Sequence, residues 1–440
     1  MDKIPHVAAA MQTVLGPTAE RLARETGFVQ RASKLTGAKF AQTLTFGWLG
    51  HPDCTLEGLA QMATSLGVPI TPQGIAARFS ERAAECLKQV LQAAIGTLLE
   101  SYGVSIPLLQ RFRKVFITDS TVIALPNALC AVWVGCGNGG TGGRAALKLQ
   151  VRLELNSGAL PGLGLEHGRA QDRATPLQQS RLPEGSLSLT DLGYFSLDVL
   201  QAQDTQGVYW LSRLQANTVV YDTAGQRCDL LTLLQQQGTP SVDIPVLLGN
   251  QHRLPCRLLA VQESPEKAAE RRRHLHAEAK RKGQPVSQAR LRLAEWSIYI
   301  TNVPVDKLAL AEALVLARAR WQIELLFKLL KSYGHIDESR SAQPWRILCE
   351  VYAKLLGMLI QHWVFMVSCW QNPDRSLTKA AQTVARQVGY LAATFNDLEL
   401  LKEALHSLAN CLLHGCHINS RRKNPNTYQQ LLTATEGALA

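Results

Sequence analysis

The chain has 440 residues, of which 46% are apolar and 18% are charged, and its formal net charge is +11 at neutral pH. This composition excludes a largely disordered protein, and the length predicts two or three domains. The most apolar segment, 355–367, is interrupted by Gln361 and His362, so we expect it to be too short to span a membrane, and the first residues do not resemble a signal peptide. The surplus of positive charge favours a polyanionic partner, usually nucleic acid.

Ten cysteines are scattered along the chain. Without a secretory signal they indicate reduced thiols in a cytosolic protein. Their one cluster with histidines comprises Cys411, His414, Cys416 and His417. The spacing within this cluster is too tight for a zinc finger, so we interpret it as small buried residues and polar residues at a helix end.

The N-terminal region, 1–110, is predicted to be helical. Thr55 precedes the segment 56–66, whose apolar residues recur at helical spacing, and Thr71 opens a second helical stretch. Two short helices across a turn suit a helix-turn-helix, but they suit many helical bundles equally well. Because basic residues precede the pair, this region is a candidate for binding DNA, with a purely structural bundle as the alternative.

From about residue 111 the sequence changes to short apolar segments typical of strands. These segments are 112–121, 131–135, 147–155, 186–191 and 208–214. A helix is predicted over 195–203, so the whole stretch indicates a mixed α/β sheet. Six glycines lie between 135 and 143, where they precede a strand and not a helix. We therefore predict a loose hairpin there and not a phosphate-binding loop.

Residues 215–303 form a distinct basic block. Three of its segments, 230–235, 243–249 and 253–261, are predicted as β-structure, and a strand begins at Trp296. From Lys267 to Arg292 nine lysine and arginine residues stand against two glutamates, and the frequent alanine and leucine predict one or two helices. A charged run is usually a solvated helix face, but such a face would carry both signs evenly. We interpret this run as a surface that faces phosphate groups.

Three acids lie in segments that otherwise favour burial. Asp119 and Asp191 end or interrupt apolar strands, and Glu324 lies among apolar residues of a long helix predicted from Asp306 to about Lys331. A buried carboxylate is costly unless it is paired or binds a cation. Three carboxylates brought together would repel one another, and divalent cations relieve that repulsion. Mg²⁺ takes oxygen ligands, and a pair of such ions supports phosphodiester cleavage.

The predicted helix adds a geometric expectation. Arg320, Glu324 and Lys331 are spaced so that they share one face of a regular helix. A carboxylate between two cations would hold metal while the cations bind neighbouring phosphates. The structural alternative is an ordinary ion pair between Arg320 and Glu324 on a solvated face.

These motifs resemble those of a known family. The string 320–324, RWQIE, with Lys331 seven residues after the glutamate, is similar to the signature Tyr-(2)-Arg-(3)-Glu-(6)-Lys of the DDE transposases of insertion-sequence family four. Segments 117–121 and 191–195 resemble the two aspartate motifs of that family. The one departure is Ala317, which stands at the tyrosine position of the signature.

The resemblance implies an α/β fold: an RNase H-like mixed-sheet catalytic core with a β-rich insertion and helical N- and C-terminal regions. The implied segments are a DNA-binding region (1–110), the first part of the core (111–214), the insertion (215–303), the signature helix (304–345) and a helical C-terminal region (346–440).

The resemblance also implies a role for each site residue. Asp119, Asp191 and Glu324 would form the catalytic triad and bind Mg²⁺, for which Mn²⁺ substitutes, while Arg320 and Lys331 would contact DNA near the cleaved end.

Trp296 is implied to stack on a flipped base, an interaction worth ~1–3 kcal/mol per base. A packed core aromatic is the alternative for this side chain.

The implied activity is cutting and joining of double-stranded DNA at the terminal inverted repeats of the protein's own insertion sequence and at a target. A homodimer on DNA is implied, in the cytoplasm and associated with the nucleoid, with no membrane partner. Two alternatives remain open: a metal-dependent nuclease without strand transfer, and a non-catalytic DNA-binding remnant or repressor. The three intact acids argue against the remnant, and the basic block and Trp296 argue against the simple nuclease.

Overall fold

The computed structural model describes residues 3–97, 99, 103–136, 144–372, 374–419 and 425–436. The chain divides into two compact units, each assembled from stretches that are far apart in sequence. Unit 1 comprises 1–106, 120–170 and 321–429, and unit 2 comprises 107–119, 171–320 and 430–440. Most of the predicted glycine hairpin, 137–143, lies outside the described residues.

The elements are numbered in chain order. The helices are α1 (Ile4–Thr13), α2 (Ala19–Glu25), α3 (Gly37–Gly50), α4 (Leu56–Ser65), α5 (Pro72–Ala76), α6 (Glu81–Ile95), α7 (Pro107–Gln110), α8 (Pro176–Gln179), α9 (Leu197–Thr205), α10 (Leu230–Gln236), α11 (Pro265–Lys282), α12 (Gln288–Leu293), α13 (Leu310–Ala319), α14 (Trp321–Lys328), α15 (Pro344–Ser368), α16 (Leu377–Thr394), α17 (Leu398–Gly415) and α18 (Thr427–Glu436). The strands are β1 (Val115–Leu125), β2 (Ala145–Glu154), β3 (Gly162–His167), β4 (Leu187–Thr190), β5 (Tyr209–Arg213), β6 (Val220–Tyr221), β7 (Arg227–Cys228), β8 (Ser241–Leu248), β9 (Leu254–Gln262) and β10 (Trp296–Thr301).

The N-terminal helices of unit 1 begin at side-chain caps. The hydroxyl groups of Thr55 and Thr71 accept hydrogen bonds from the amides of Gly58 and Gly74, which confirms both predicted helix starts. Helices α3 and α6 pack against the long helix α15, which also contacts α17. The N-terminal and C-terminal helices therefore share one core.

Helix α15 is longer than the sequence suggested. It extends over 25 residues and is long and apolar enough to cross a membrane, so the expectation that this segment is too short was wrong. The helix continues through His362, whose buried ring donates a hydrogen bond to the carbonyl oxygen of Gly158 at 2.6 Å. Burial lowers the pKa of His362 to about 4, so the ring is neutral. Since 78% of the apolar window is buried inside the protein, α15 is a core helix.

Unit 2 contains a mixed sheet. Strands β1, β4 and β5 are parallel, and the order continues through β10, β9, β8, β6 and β7 by antiparallel pairs. The antiparallel part belongs to the block predicted to be β-rich. The sheet packs against a core that includes Trp210, Leu258 and Ile300. A mixed α/β fold with helices at both ends is thereby confirmed.

Two local predictions were wrong, and one strand was missed. Residues 131–135 form turns with one isolated bridge, and β3 was not predicted. The segment 230–235 is helical because the carboxylate of Asp229 accepts from the Thr232 amide and caps α10, and the buried Leu230 and Leu234 are one turn apart.

Gly158 provides a stability prediction for unit 1. Its φ of +73° lies in the left-handed region, and a Cβ there would come within 2.6 Å of the Trp370 ring. We expect Gly158→Ala to lower the free energy of unfolding by more than the ~1–2 kcal/mol of the left-handed backbone alone. The matched control is Gly67→Ala, because Gly67 has a φ of +82° with nothing within 4 Å of its Cβ position. Equal losses for the two variants in urea unfolding would show that the Trp370 contact has no effect.

Candidate active site

Asp119 and Asp191 lie at corresponding positions of neighbouring strands in unit 2. Strands β1 and β4 are parallel, and their register pairs Thr118 with Thr190. The residue that follows each of these threonines is an aspartate: Asp119 within β1, and Asp191 directly after the end of β4. The side chain of Asp119 is 15% exposed and that of Asp191 is 43% exposed. The structure brings these two candidate acids together.

A guanidinium group lies against both carboxylates. Nη1 of Arg320 donates to Oδ2 of Asp119 at 2.7 Å, and its Nε lies 3.9 Å from Oδ1 of Asp191. Two carboxylates this near one another repel, and the positive charge relieves that repulsion. The Arg320 side chain is 24% exposed, so the contact with Asp119 is partly shielded from solvent. In the structure Arg320 therefore serves as the cation of the aspartate pair.

The predicted single helix around Glu324 is interrupted. The first helix, α13, begins at Leu310 and not near Asp306, because the Glu312 carboxylate accepts from the Ala309 amide at 3.0 Å and caps it there. Arg320 is the residue between α13 and α14, and a π-helical turn, Leu329–Tyr333, follows α14. The expected regular spacing from Arg320 to Lys331 was therefore wrong, since a π-turn bonds residues five apart.

Glu324 and Lys331 belong to unit 1. Glu324 lies in the first turn of α14, where it is half-buried beside the buried Ile323. Lys331 is half-buried within the π-helical turn. Ala317, at the tyrosine position of the signature, is half-buried on α13 in unit 2.

Trp296 begins β10 and is half-buried. Its ring packs against the core of unit 2, and its backbone oxygen accepts a hydrogen bond from Arg271 at 3.0 Å. The side chain therefore has a packing role, and only its exposed part can contact a ligand.

A further carboxylate of unit 2 was not singled out from the sequence. Oδ2 of Asp172 lies 3.3 Å from the position that a Cβ on Gly193 would take. Asp172 begins a short 3₁₀-helix, Asp172–Ala174, and no strand or helix periodicity marks it. Gly193 belongs to the motif that follows Asp191, so the absence of a side chain there lets Asp172 approach this motif.

Comparison with known proteins identifies the family. A family model described as a transposase DDE domain matches residues 110–360. The chain belongs to the DDE transposase family. It is 29% identical over 365 residues to the transposase for insertion sequence element IS231C of Bacillus thuringiensis subsp. berliner, an alignment that covers 78% of this chain and 75% of the relative. It is also 24% identical over 376 residues to the transposase for IS1151 of Clostridium perfringens, covering 79% and 78% of the two chains.

A shorter match covers part of the chain. The putative transposase InsL for IS186A of Escherichia coli K12 is 28% identical over 179 residues, which is 39% of this chain and 46% of the relative. The family and the mixed sheet of unit 2 together identify the RNase H-like core of a DDE transposase.

DDE transposase domains generally use divalent metal ions, and the residues of unit 2 fit such an ion. Asp119 and Asp191 supply carboxylate oxygens, the ligand type that hard divalent cations prefer. The guanidinium group of Arg320 lies beside both carboxylates, so this position already holds a positive charge.

The basic run of unit 2 forms α11, as predicted. Two of its arginines have structural partners: Arg271 pairs with Glu263, and Arg272 pairs with Glu295. Three other basic residues of α11 are exposed and have no ion pair among the described residues. We call these residues the α11 basic surface: Arg273, Lys280 and Arg281.

Proposed function

We propose that this transposase cuts and joins DNA at the ends of its own insertion sequence by metal-dependent phosphodiester hydrolysis and transesterification. One observation carries the proposal: Asp119, within β1, and Asp191, directly after the neighbouring strand β4, lie at matching positions with Arg320 against both. A pair of carboxylates in an RNase H-like core of this family suits phosphodiester chemistry, because it concentrates negative charge where divalent cations are needed.

Asp119, Asp191 and Glu324 are proposed as the catalytic triad. Glu324 is assigned by its position four residues after Arg320 in the string RWQIE. These carboxylates would hold two Mg²⁺ ions, with Mn²⁺ as a substitute, and the bound ions supply activation of the attacking oxygen and stabilisation of the leaving oxygen. The sheet places Asp119 and Asp191 on neighbouring strands, so the geometry of this pair is set before DNA arrives.

The same string supports the finer proposal of insertion-sequence family four. Arg320 and Lys331 are proposed to contact DNA near the cleaved end. Arg320 then has two partners: Asp119 in the structure, and a DNA phosphate in the complex. Because Ala317 has no phenol group, this position cannot make the DNA contacts that are proposed for the tyrosine of the signature. Trp296 is proposed to offer its exposed part to an extruded base.

The α11 basic surface is proposed to bind DNA phosphates. We expect Arg273→Ala with Lys280→Ala to weaken DNA binding equally for end and unrelated sequences and to reduce the slope of log affinity against log salt by about two, since each contact accounts for about one. Fluorescence anisotropy at several salt concentrations measures this. Lys402→Ala on α17 is the control, because Lys402 is already paired with Glu399 at 2.6 Å. An unchanged slope in the double variant would exclude phosphate contact by this surface.

The proposed function is tested with purified full-length protein and labelled duplexes that carry the ends of its element with flanking DNA. Incubation with Mg²⁺ should give nicks at the element boundary, then hairpins and products joined to a target plasmid, resolved on a denaturing gel. Nicks without joined products would indicate a nuclease, and end binding without nicks would indicate a non-catalytic repressor. A homodimer on DNA, which synapsis of two ends requires, is expected as a complex with two protein chains in light scattering.

A further inference from the structure

A cavity of about 150 Å³ with a mixed apolar and polar lining lies within unit 1, beside the helix that carries Glu324. Its walls come from α14 and from the start of α16, and they include Gln322, Lys328, Arg375, Ser376, Thr378 and Tyr428. Two cations line this cavity, and no acid is among its described lining residues. A water molecule takes about 30 Å³ of liquid, so the space suits a small oxyanion with a few waters.

Arg375 is the unusual residue of this cavity. It is only 6% exposed, and its Nη1 donates to the carbonyl oxygen of Asn372 at 3.0 Å. Its Nε and Nη2 are buried and have no hydrogen-bond partner among the described residues. No carboxylate of the described chain forms an ion pair with it. A buried guanidinium without a counter-charge is costly, which leaves this group short of an anion.

Aromatic rings hold the guanidinium in place. Its central carbon lies 4.3 Å from the centre of the Trp370 ring and 4.0 Å from that of Tyr428. The Tyr428 hydroxyl is directed elsewhere, since it donates to the Leu155 carbonyl oxygen at 3.2 Å. The rings therefore fix the guanidinium plane and contact its faces.

The second contribution comes from the N-terminus of α16, an 18-residue helix. The Ser376 hydroxyl caps the amide of Lys379, which leaves the amides of Leu377 and Thr378, the first two of the helix, without an intrahelical acceptor. The positive end of the helix dipole and these amides favour an anion at this point. Lys328, exposed on α14, adds a third positive group at the cavity.

We infer that this cavity is a binding site for a phosphoryl anion, with Arg375 as its buried anchor. Resting on the proposed function, the anion is a backbone phosphate of the DNA substrate. Occupation of the site would hold the strand beside α14. A free phosphate ion has the same chemistry, so the experiment separates these two sources.

The test uses full-length protein without Mg²⁺, so its outcome does not depend on cleavage. Thermal unfolding is followed in phosphate and in chloride at equal ionic strength and pH. Phosphate should raise the midpoint of the parent, because a ligand of the folded state stabilises it. Arg375→Gln should lose this rise in the midpoint, and Lys328→Gln should reduce it. The control is Arg386→Gln, which removes an exposed cation of α16 and should keep the rise.

The second arm measures DNA binding against salt concentration. Arg375→Gln should reduce the salt slope by about one relative to the parent and to Arg386→Gln. A lost phosphate response with an unchanged DNA slope would overturn the DNA assignment, and an unchanged phosphate response would overturn the site itself. If Arg375→Gln lacks a cooperative unfolding transition, the test rests on Lys328→Gln. A phosphate-induced rise and a DNA salt slope equal to those of the parent would then contradict the inference. Failure of cleavage in the parent, with both arms as expected, would refute the proposed function and leave the anion site standing.

Discussion

Asp119→Asn should abolish Mg²⁺-dependent cleavage of element ends, with a fall in rate of about a thousandfold. The substitution keeps the size of the side chain but removes one charged oxygen ligand. Loss of a metal contribution of several kcal/mol, at about 1.4 kcal/mol per factor of ten, accounts for a change of that size. Binding of the same duplex should persist, because the positive surfaces that contact phosphates are unchanged.

The measurement for Asp119→Asn combines initial rates of nicking on a denaturing gel with duplex affinity from mobility shifts. Asp337→Asn is the control, since Asp337 is an exposed acid of unit 1 outside the proposed site. Cleavage at the parental rate by Asp119→Asn would remove this residue from the triad.

Arg111→Ala should lower the free energy of unfolding by about 3 kcal/mol, the lower end of the range for breaking a buried ion pair. Arg111 donates to both carboxylate oxygens of Glu312 at 2.7 and 2.8 Å and to the Lys307 carbonyl oxygen at 3.1 Å. Glu312 is 4% exposed, so the variant leaves its charge buried without its partner, whereas the 30% exposure of Arg111 moderates the loss.

Urea unfolding tests this stability prediction, with Arg111→Met/Glu312→Leu as the matched variant. The double substitution removes both charges and fills the space, so it should recover most of the stability that Arg111→Ala loses. It should not recover all of it, because Glu312 also caps α13 through the Ala309 amide. A loss below ~0.5 kcal/mol in Arg111→Ala would show that the pair contributes no more than an exposed one.

The strands that carry the aspartates could be predicted because local patterns determine them. Apolar residues surround Asp119 and Asp191, and β1 and β4 formed where expected. The basic helix α11 followed from composition, and the start of α4 followed from Thr55, whose hydroxyl caps that helix. In each case the deciding interactions lie within a few residues of one another.

The arrangement around Arg320 could not be predicted from local patterns. Nη1 of Arg320 pairs with Asp119, which is 201 residues away in the chain. The start of α13 depends in the same way on Arg111 and Glu312, which are also 201 residues apart. Burial of Arg375 depends in part on the ring of Tyr428, which belongs to a distant segment of the chain. Such tertiary contacts leave no periodicity in the sequence.

We propose that Glu324 acts together with Asp119 and Asp191, and the variant Glu324→Gln tests this role. The variant is compared with the parent and with Glu338→Gln, an exposed acid of the same unit, on labelled element ends with Mg²⁺. We predict no nicked product above background for Glu324→Gln, with parental end binding and parental cleavage by Glu338→Gln. Nicking by Glu324→Gln at the parental rate would contradict the assignment of a three-carboxylate site.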